Sequence, residues 1–233
     1  MLATKQSASD KIERAISLAL AVAALAIAAV VVRREFFPSV APTSNRPVPV
    51  FKDDWREFRK AGIAFDGSAG APVEIVEFGD FECPVCAAFE PTLQAVTSKY
   101  GDQISRVFVH FPIPGHRFAR PAALAAECAH QQGAFAAMKA VLYARQDSFG
   151  LRPWTNFARE AGVADLARFD ACVAAPESGE RIDKGFALAE RLGFRGTPTI
   201  VLNGWAINGI LGELQLAQAI DAALNGKGPP GSE

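Results

Sequence analysis

The chain opens with a stretch that has no polar face. From Ala15 to Val32 every position is apolar or small, with Ser17 the one interruption. As a helix rising about 1.5 Å per residue, that run reaches the short end of the lengths that cross a hydrocarbon core of about 30 Å. A helix on the surface of a globular domain would carry a polar stripe, and this run carries none. Lys5, Lys11 and Arg14 precede it, and Arg33 and Arg34 follow it. The junction Val30-Val31-Val32-Arg33-Arg34 lacks the small-residue pattern of a cleavage site, so residues 15–32 read as an uncleaved transmembrane signal anchor behind a cytoplasmic tail, 1–14. Positive charge on both flanks leaves the positive-inside rule undecided. The short tail and the large segment that follows place residues 35–233 outside the cytoplasm.

Beyond the anchor the pattern changes character. Pro38, Pro42, Pro47 and Pro49 punctuate residues 33–50, which read as an extended tether. Phe51, Trp55 and Phe58 recur at helical spacing before Gly62, predicting a short helix over 51–60. Val73 to Phe78 is β-rich and mostly apolar, as a buried strand requires. Gly79-Asp80-Phe81-Glu82 breaks it, and a helix is predicted from about Pro84 to Tyr100, with proline in the first turn. Ile104 to Phe111 reads as a second strand, ended by Pro112 and Pro114. Residues 116–192 are alanine-rich and helical in period, divided by Gly133, Gly150 to Pro153, Gly162 and Pro176. Pro198 to Leu202 and Trp205 to Asn208 flank Asn203-Gly204, a tight hairpin turn. Glu213 to Leu224 closes the chain with a helix, and 226–233 is expected to be a disordered tail. Strand, helix, strand, helical block, hairpin, helix is the order of an α/β domain, a mixed sheet covered by helices.

Composition narrows the function. The 233 residues are 50% hydrophobic, enough for a sizeable core, and the formal net charge of -1 gives no basic surplus for nucleic acid. Four cysteines are too few for a disulfide-dense scaffold, so their placement matters more than their number.

Two of them form Cys83-Pro84-Val85-Cys86 between an apolar strand and a helix. A sulfur at a helix start faces unpaired backbone N–H groups and the positive end of the dipole, and both favour thiolate. Cys83 therefore reads as the nucleophile of a thiol–disulfide exchange and Cys86, one turn on, as the buried resolving thiol. Competing readings are half of a zinc site, a structural disulfide, or two idle thiols. Zinc lacks its other ligands, because Cys128 and Cys172 form no second CxxC and His110, His116 and His130 have no paired spacing. No metal and no cofactor are expected.

The segments Val73 to Cys86, Val107 to His116, Ala125 to Ala129 and Gly193 to Thr199 together resemble the DsbA-like thiol–disulfide oxidoreductases, over roughly residues 51–225. The resemblance implies a thioredoxin-like mixed sheet with an inserted helical subdomain at about 113–192. It implies that Thr197-Pro198 is a cis-proline loop lying against the CxxC pair and binding an extended substrate. It matches Glu77 to a buried acid that shuttles the proton of Cys86, although alternation along the strand also allows a solvent-facing glutamate. It implies a second, structural disulfide, Cys128–Cys172, against the alternative of two free core thiols. Asp80 and Glu82 read as loop or helix-start residues whose charge opposes a thiolate. Phe118, Phe135, Met138 and Phe149 are candidates for a groove or for the core. Of the three histidines, only His110, by its place near the motif, is a candidate to tune the thiols.

The function that follows is an extracytoplasmic, periplasmic oxidase. It exchanges the Cys83–Cys86 disulfide with free thiols of exported proteins and is reoxidised by a quinone-linked membrane oxidoreductase. The alternatives are a disulfide reductase or isomerase, and a membrane-tethered peptide-binding module without turnover.

Overall fold

The computed structural model describes residues 16–21, 23, 48–49, 58–175 and 179–232. Residues 1–43 and 44–233 form two separate units. In the first, residues 16–21 and 23 are helical. The rest of the expected span 15–32 lies outside the described residues, as do 1–14 and most of 33–50. Among the described residues no helix is long and apolar enough to cross a membrane.

The second unit is built on a six-stranded mixed sheet. Its strands are β1 (Val48–Pro49), β2 (Ile63–Asp66), β3 (Val73–Gly79), β4 (Ile104–His110), β5 (Thr199–Leu202) and β6 (Trp205–Asn208), in the order β1-β6-β5-β3-β4-β2. The run Val-Glu-Ile-Val-Glu-Phe-Gly lies at the centre and is buried at every position. β3 pairs parallel to β4 and antiparallel to β5, so it is covered on both edges as well as both faces. Asn203 and Gly204 both have positive φ, 44° and 86°, which is what a two-residue turn between β5 and β6 demands.

Helices fill both faces. They are α1 (Phe58–Ala61), α2 (Pro84–Thr97), α3 (Ala119–His130), α4 (Phe135–Ala144), α5 (Trp154–Glu160), α6 (Leu166–Ala174), α7 (Glu180–Arg191) and α8 (Glu213–Leu224). Period-two alternation sends Ile75 and Val73 towards α2 and α8, where Phe89, Leu93, Leu216 and Ile220 pack on them. The opposite set, Val76, Phe78, Val107 and Val109, meets Phe58 of α1 and Leu188 of α7. Gly185 lets α7 press onto β4, because a Cβ there would lie 2.5 Å from the His110 carbonyl oxygen. Helices α3 to α6 form a third cluster around Met138, Leu142, Phe157 and Phe169 that reaches Phe81, Cys83 and Cys86. This is the inserted helical subdomain.

Of the helix expected over 51–60, Phe58–Ala61 is described as helix, and 51–57 lie outside the described residues. Three expectations are corrected. The helix from Pro84 ends at Thr97, not Tyr100, as the chain turns through a 3-10 segment at Gly101–Gln103. The end of the presumed tether is not free, since Val48–Pro49 pairs antiparallel with Ala206 and Trp205. The presumed tail is packed through Pro229, which is buried, and Gly228 sits against Trp205. A proline-rich composition hid both, because it says nothing about a single edge pairing. β2 escaped the sequence pattern altogether, being four residues long with a register shift between Ala64 and Asp66.

Candidate active site

The strand-to-helix junction after β3 carries the motif. Cys83 is the N-cap of α2 with extended backbone and no side-chain cap, and Pro84 begins the helix. The Cys83 N–H donates to the Asp80 carbonyl at 3.2 Å, and its own carbonyl accepts from Ala87 N at 3.2 Å. The first sulfur thus stands where the free N–H groups of the helix converge. Cys83 is 5% exposed and Cys86 fully buried, and both are free thiols.

The Thr197-Pro198 peptide is cis, and the Thr197 carbonyl lies 3.4 Å from Cys83 Sγ, which donates to it when protonated as a thiol. The Thr197 hydroxyl is buried beside the same sulfur. Two segments 114 residues apart in sequence are thereby joined at one sulfur.

The two thiols diverge in acidity. The hydrogen bond from Cys86 is the largest influence on Cys83, and it outweighs burial. With the nearby Thr197 side chain and the N–H groups of Cys86 and Val85, it lowers Cys83 from 9.0 to about 5. Cys86 is pushed far up, first by burial, then by the bond it gives to Cys83 and by the charges of Glu77 and Cys83. One sulfur is a thiolate at neutral pH and the other holds its proton.

Behind Cys86 lies a buried charged network. Glu77 is 2% exposed, so the solvent-facing alternative does not apply. Tyr143 donates its hydroxyl to Glu77 Oε1 at 3.2 Å, and Lys139 Nζ is 3.0 Å from Glu77 Oε2. Lys139 also pairs with Glu90, which takes two further contacts from Arg106 at 3.0 and 3.2 Å. Burial raises the Glu77 pKa more than the Lys139 charge lowers it, and Glu90 adds to the rise. Tyr143 is raised well above its ordinary value, by burial first and the Glu77 charge second. Glu77 is therefore a carboxyl that can take or give a proton beside Cys86.

The loop before the motif is held from outside. Asp80 is buried, accepts from Glu82 N at 2.7 Å and Ile113 N at 2.8 Å, and faces His116 Nδ1 at 2.7 Å. Glu82 accepts from Phe118 N. Gln146, from the 3-10 turn after α4, donates to the carbonyls of Phe81 at 2.7 Å and Cys83 at 3.0 Å.

Sequence reasoning missed Gln146, Lys139, Tyr143 and His116. A signal existed for Lys139, which sits on the apolar stripe Phe135, Met138, Lys139, Leu142, Tyr143 of α4. His110, the histidine singled out from sequence, is buried among Phe81, Phe108 and Phe135, with Glu127 at 3.0 Å rather than a thiol. His130 is held down by burial and by Arg181. Phe135, Met138 and Phe149 belong to the core, with Phe118 packed half-buried against it, so none of the four forms an open groove. Cys128 and Cys172 are bonded at 2.02 Å and tie α3 to α6. Among the described residues no group of three or more His, Cys, Asp or Glu side chains is placed to hold a metal.

Solved structures share this fold. A thioredoxin-like oxidoreductase from Silicibacter pomeroyi superposes with a TM-score of 0.62 at 28% identity, covering 75% of this chain and 99% of that one. BdbD from Bacillus subtilis gives a TM-score of 0.62 at 23% identity, over 71% of this chain and 94% of its own, and shares the fold. A curated relative, the Na(+)/H(+) antiporter NhaA 1 of Mycolicibacterium gilvum, is 33% identical over 159 residues, 67% of this chain and 26% of that protein. The chain thus spans about a quarter of the length of the curated relatives it matches. The family model described as thioredoxin matches residues 60–222, well over half of the sequence and all of the site just described. The chain belongs to the thioredoxin family.

Proposed function

We propose that the protein is a thiol–disulfide oxidoreductase working as an oxidase of exported proteins. The opposed ionisation of Cys83 and Cys86 carries this reading. A thiolate at Cys83 stabilises the reduced state and has no counterpart in the disulfide. With Cys83 at about 5 against 9.0 for a free thiol, that preference is on the order of 2–3 kcal/mol at pH 7, or about 60 mV towards oxidising character.

The chemistry balances as follows. A substrate thiolate attacks Cys83 Sγ of the disulfide, the Cys83–Cys86 bond breaks, and the electron pair goes to Cys86. Cys86 takes a proton through Glu77, for which its raised affinity is suited. A second substrate thiolate then attacks the substrate sulfur of the mixed disulfide and expels Cys83 as a thiolate that needs no proton. The substrate is oxidised by two electrons and the motif is reduced by two. The cis-proline loop supplies the backbone beside Cys83 along which an extended client lies.

The apolar run at 15–32 supports a single-pass anchor with the catalytic domain in the periplasm or its equivalent, near a quinone-linked membrane oxidoreductase that restores the disulfide. The ion transport named for the antiporter relatives is not carried over, because only about a quarter of their length is matched.

Equilibrating the full chain with glutathione buffers tests the direction. A reduction potential near about -120 mV supports the oxidase, and one near about -270 mV overturns it in favour of a reductase. Cys86→Ala should accumulate mixed disulfides with exported proteins through Cys83, which a mere binding module would not do.

A further inference from the structure

We propose that His116, held by Asp80, is the positioning residue that sets how readily Cys83 carries a negative charge. The inference rests on the reading of Cys83 as the nucleophile, and it concerns a residue outside the motif.

The geometry begins with a problem. The loop that presents Cys83 contains two acids, Asp80 and Glu82, and both repel a thiolate. Asp80 is buried and cannot be screened by water. Its Oδ1 accepts the Glu82 N–H, its Oδ2 accepts the Ile113 N–H, and the same Oδ2 meets His116 Nδ1 at 2.7 Å. The segment that delivers His116 is fastened to the motif loop along its length. Phe111 N donates to Gly79 O at 2.9 Å, and Phe118 N donates to Glu82. The histidine is fixed relative to Cys83 through the Asp80 carbonyl, which accepts the Cys83 N–H.

With Nδ1 committed to Asp80, the far side of the ring stays partly open, at 32% exposure. Burial lowers the affinity of His116 for a proton, but the hydrogen bond and charge of Asp80, then the charges of Cys83 and Glu82, overcome it and raise the pKa above 6.5. Arg117, its neighbour, is stacked over Phe118 at 5.2 Å. Protonated, His116 cancels Asp80. Deprotonated, it leaves the Asp80 charge uncompensated in the loop that presents Cys83. The dipeptide between the cysteines, Pro84-Val85, holds no cation to do this from within the motif.

The test is a thiolate titration of the reduced full chain by ultraviolet absorbance. H116Q keeps a hydrogen-bonding group for Asp80 but removes the charge, and should raise the Cys83 midpoint by about one pH unit. H116K keeps a charge and should titrate near the wild type. H116Q titrating with the wild type, or H116K moving as H116Q does, overturns the proposal. A second measurement needs no variant at this position. Linkage requires that the His116 imidazole, followed by NMR, titrate lower once Cys83 is in the disulfide. Equal values in the two redox states overturn the proposal as well. A reduction potential at the reducing end would overturn the oxidase reading while leaving both of these measurements decisive for His116.

Discussion

Cys83 and Cys86 are the same residue three positions apart, and their surroundings drive them in opposite directions. The hydrogen bond from Cys86 is the largest cause of the acidity of Cys83, so Cys86→Ala should raise the Cys83 midpoint from about 5 by one unit or more. The pH dependence of alkylation of the single remaining thiol measures this. Thr197→Val should raise it less, since the Thr197 side chain ranks below Cys86 and burial among the influences. The motif was legible in the sequence because a CxxC at a strand–helix junction needs only local spacing. Glu77 was half legible, because alternation gave its face but not what covered that face. The roles of Asp80 and His116 were not legible. Their contact spans 36 positions in the chain, and no local pattern distinguishes a buried acid with three partners from a loop acid in water.

At the scale of elements, α4 is where apolar pattern and charge conflict. Lys139 lies 1% exposed among aromatic rings, with Phe65, Phe108 and Tyr143 at 5.6, 5.5 and 5.0 Å from its ammonium. Replacing it with methionine strands the Glu77 carboxylate, and urea denaturation should show a loss of roughly 3 kcal/mol. Adding Glu77→Gln should recover much of it, because the uncompensated charge is then gone. The Cys128–Cys172 bond closes a separation of 44 residues across the insertion, for which the chain-entropy model gives roughly 4 kcal/mol. Cys128→Ala with Cys172→Ala should lower stability by up to that amount and leave the Cys83 midpoint in place, since neither cysteine is among the leading influences on the acidity of Cys83. Among the elements, β3, α2, β4 and the β5–β6 hairpin were readable from periodicity and turn residues. β1 and β2 were not, because a strand of two or four residues at a sheet edge owes its existence to its neighbour rather than to its own composition.

For the whole molecule, the acidity of Cys83 becomes a dependence of stability on pH. Its folded value, about 5, lies below the 9.0 of the free thiol. The contribution to the reduced form is therefore fully present above about 9 and is lost as pH falls through about 5. The stability of reduced protein relative to oxidised protein should climb between those limits, as denaturation of both forms across that range will show. A flat difference would contradict the thiolate assignment. The topology of the sheet has a further consequence. Among the described residues its two outer strands are poor templates: β1 is described over Val48–Pro49, the second a proline, and β2 is four residues long with a broken register. A protein that handles unfolded chains risks having those chains add to its borders and grow into cross-β aggregates. Under the proposed function these borders offer little for such growth, and a client strand would find its backbone partner at the cis-proline loop, beside the Cys83 sulfur.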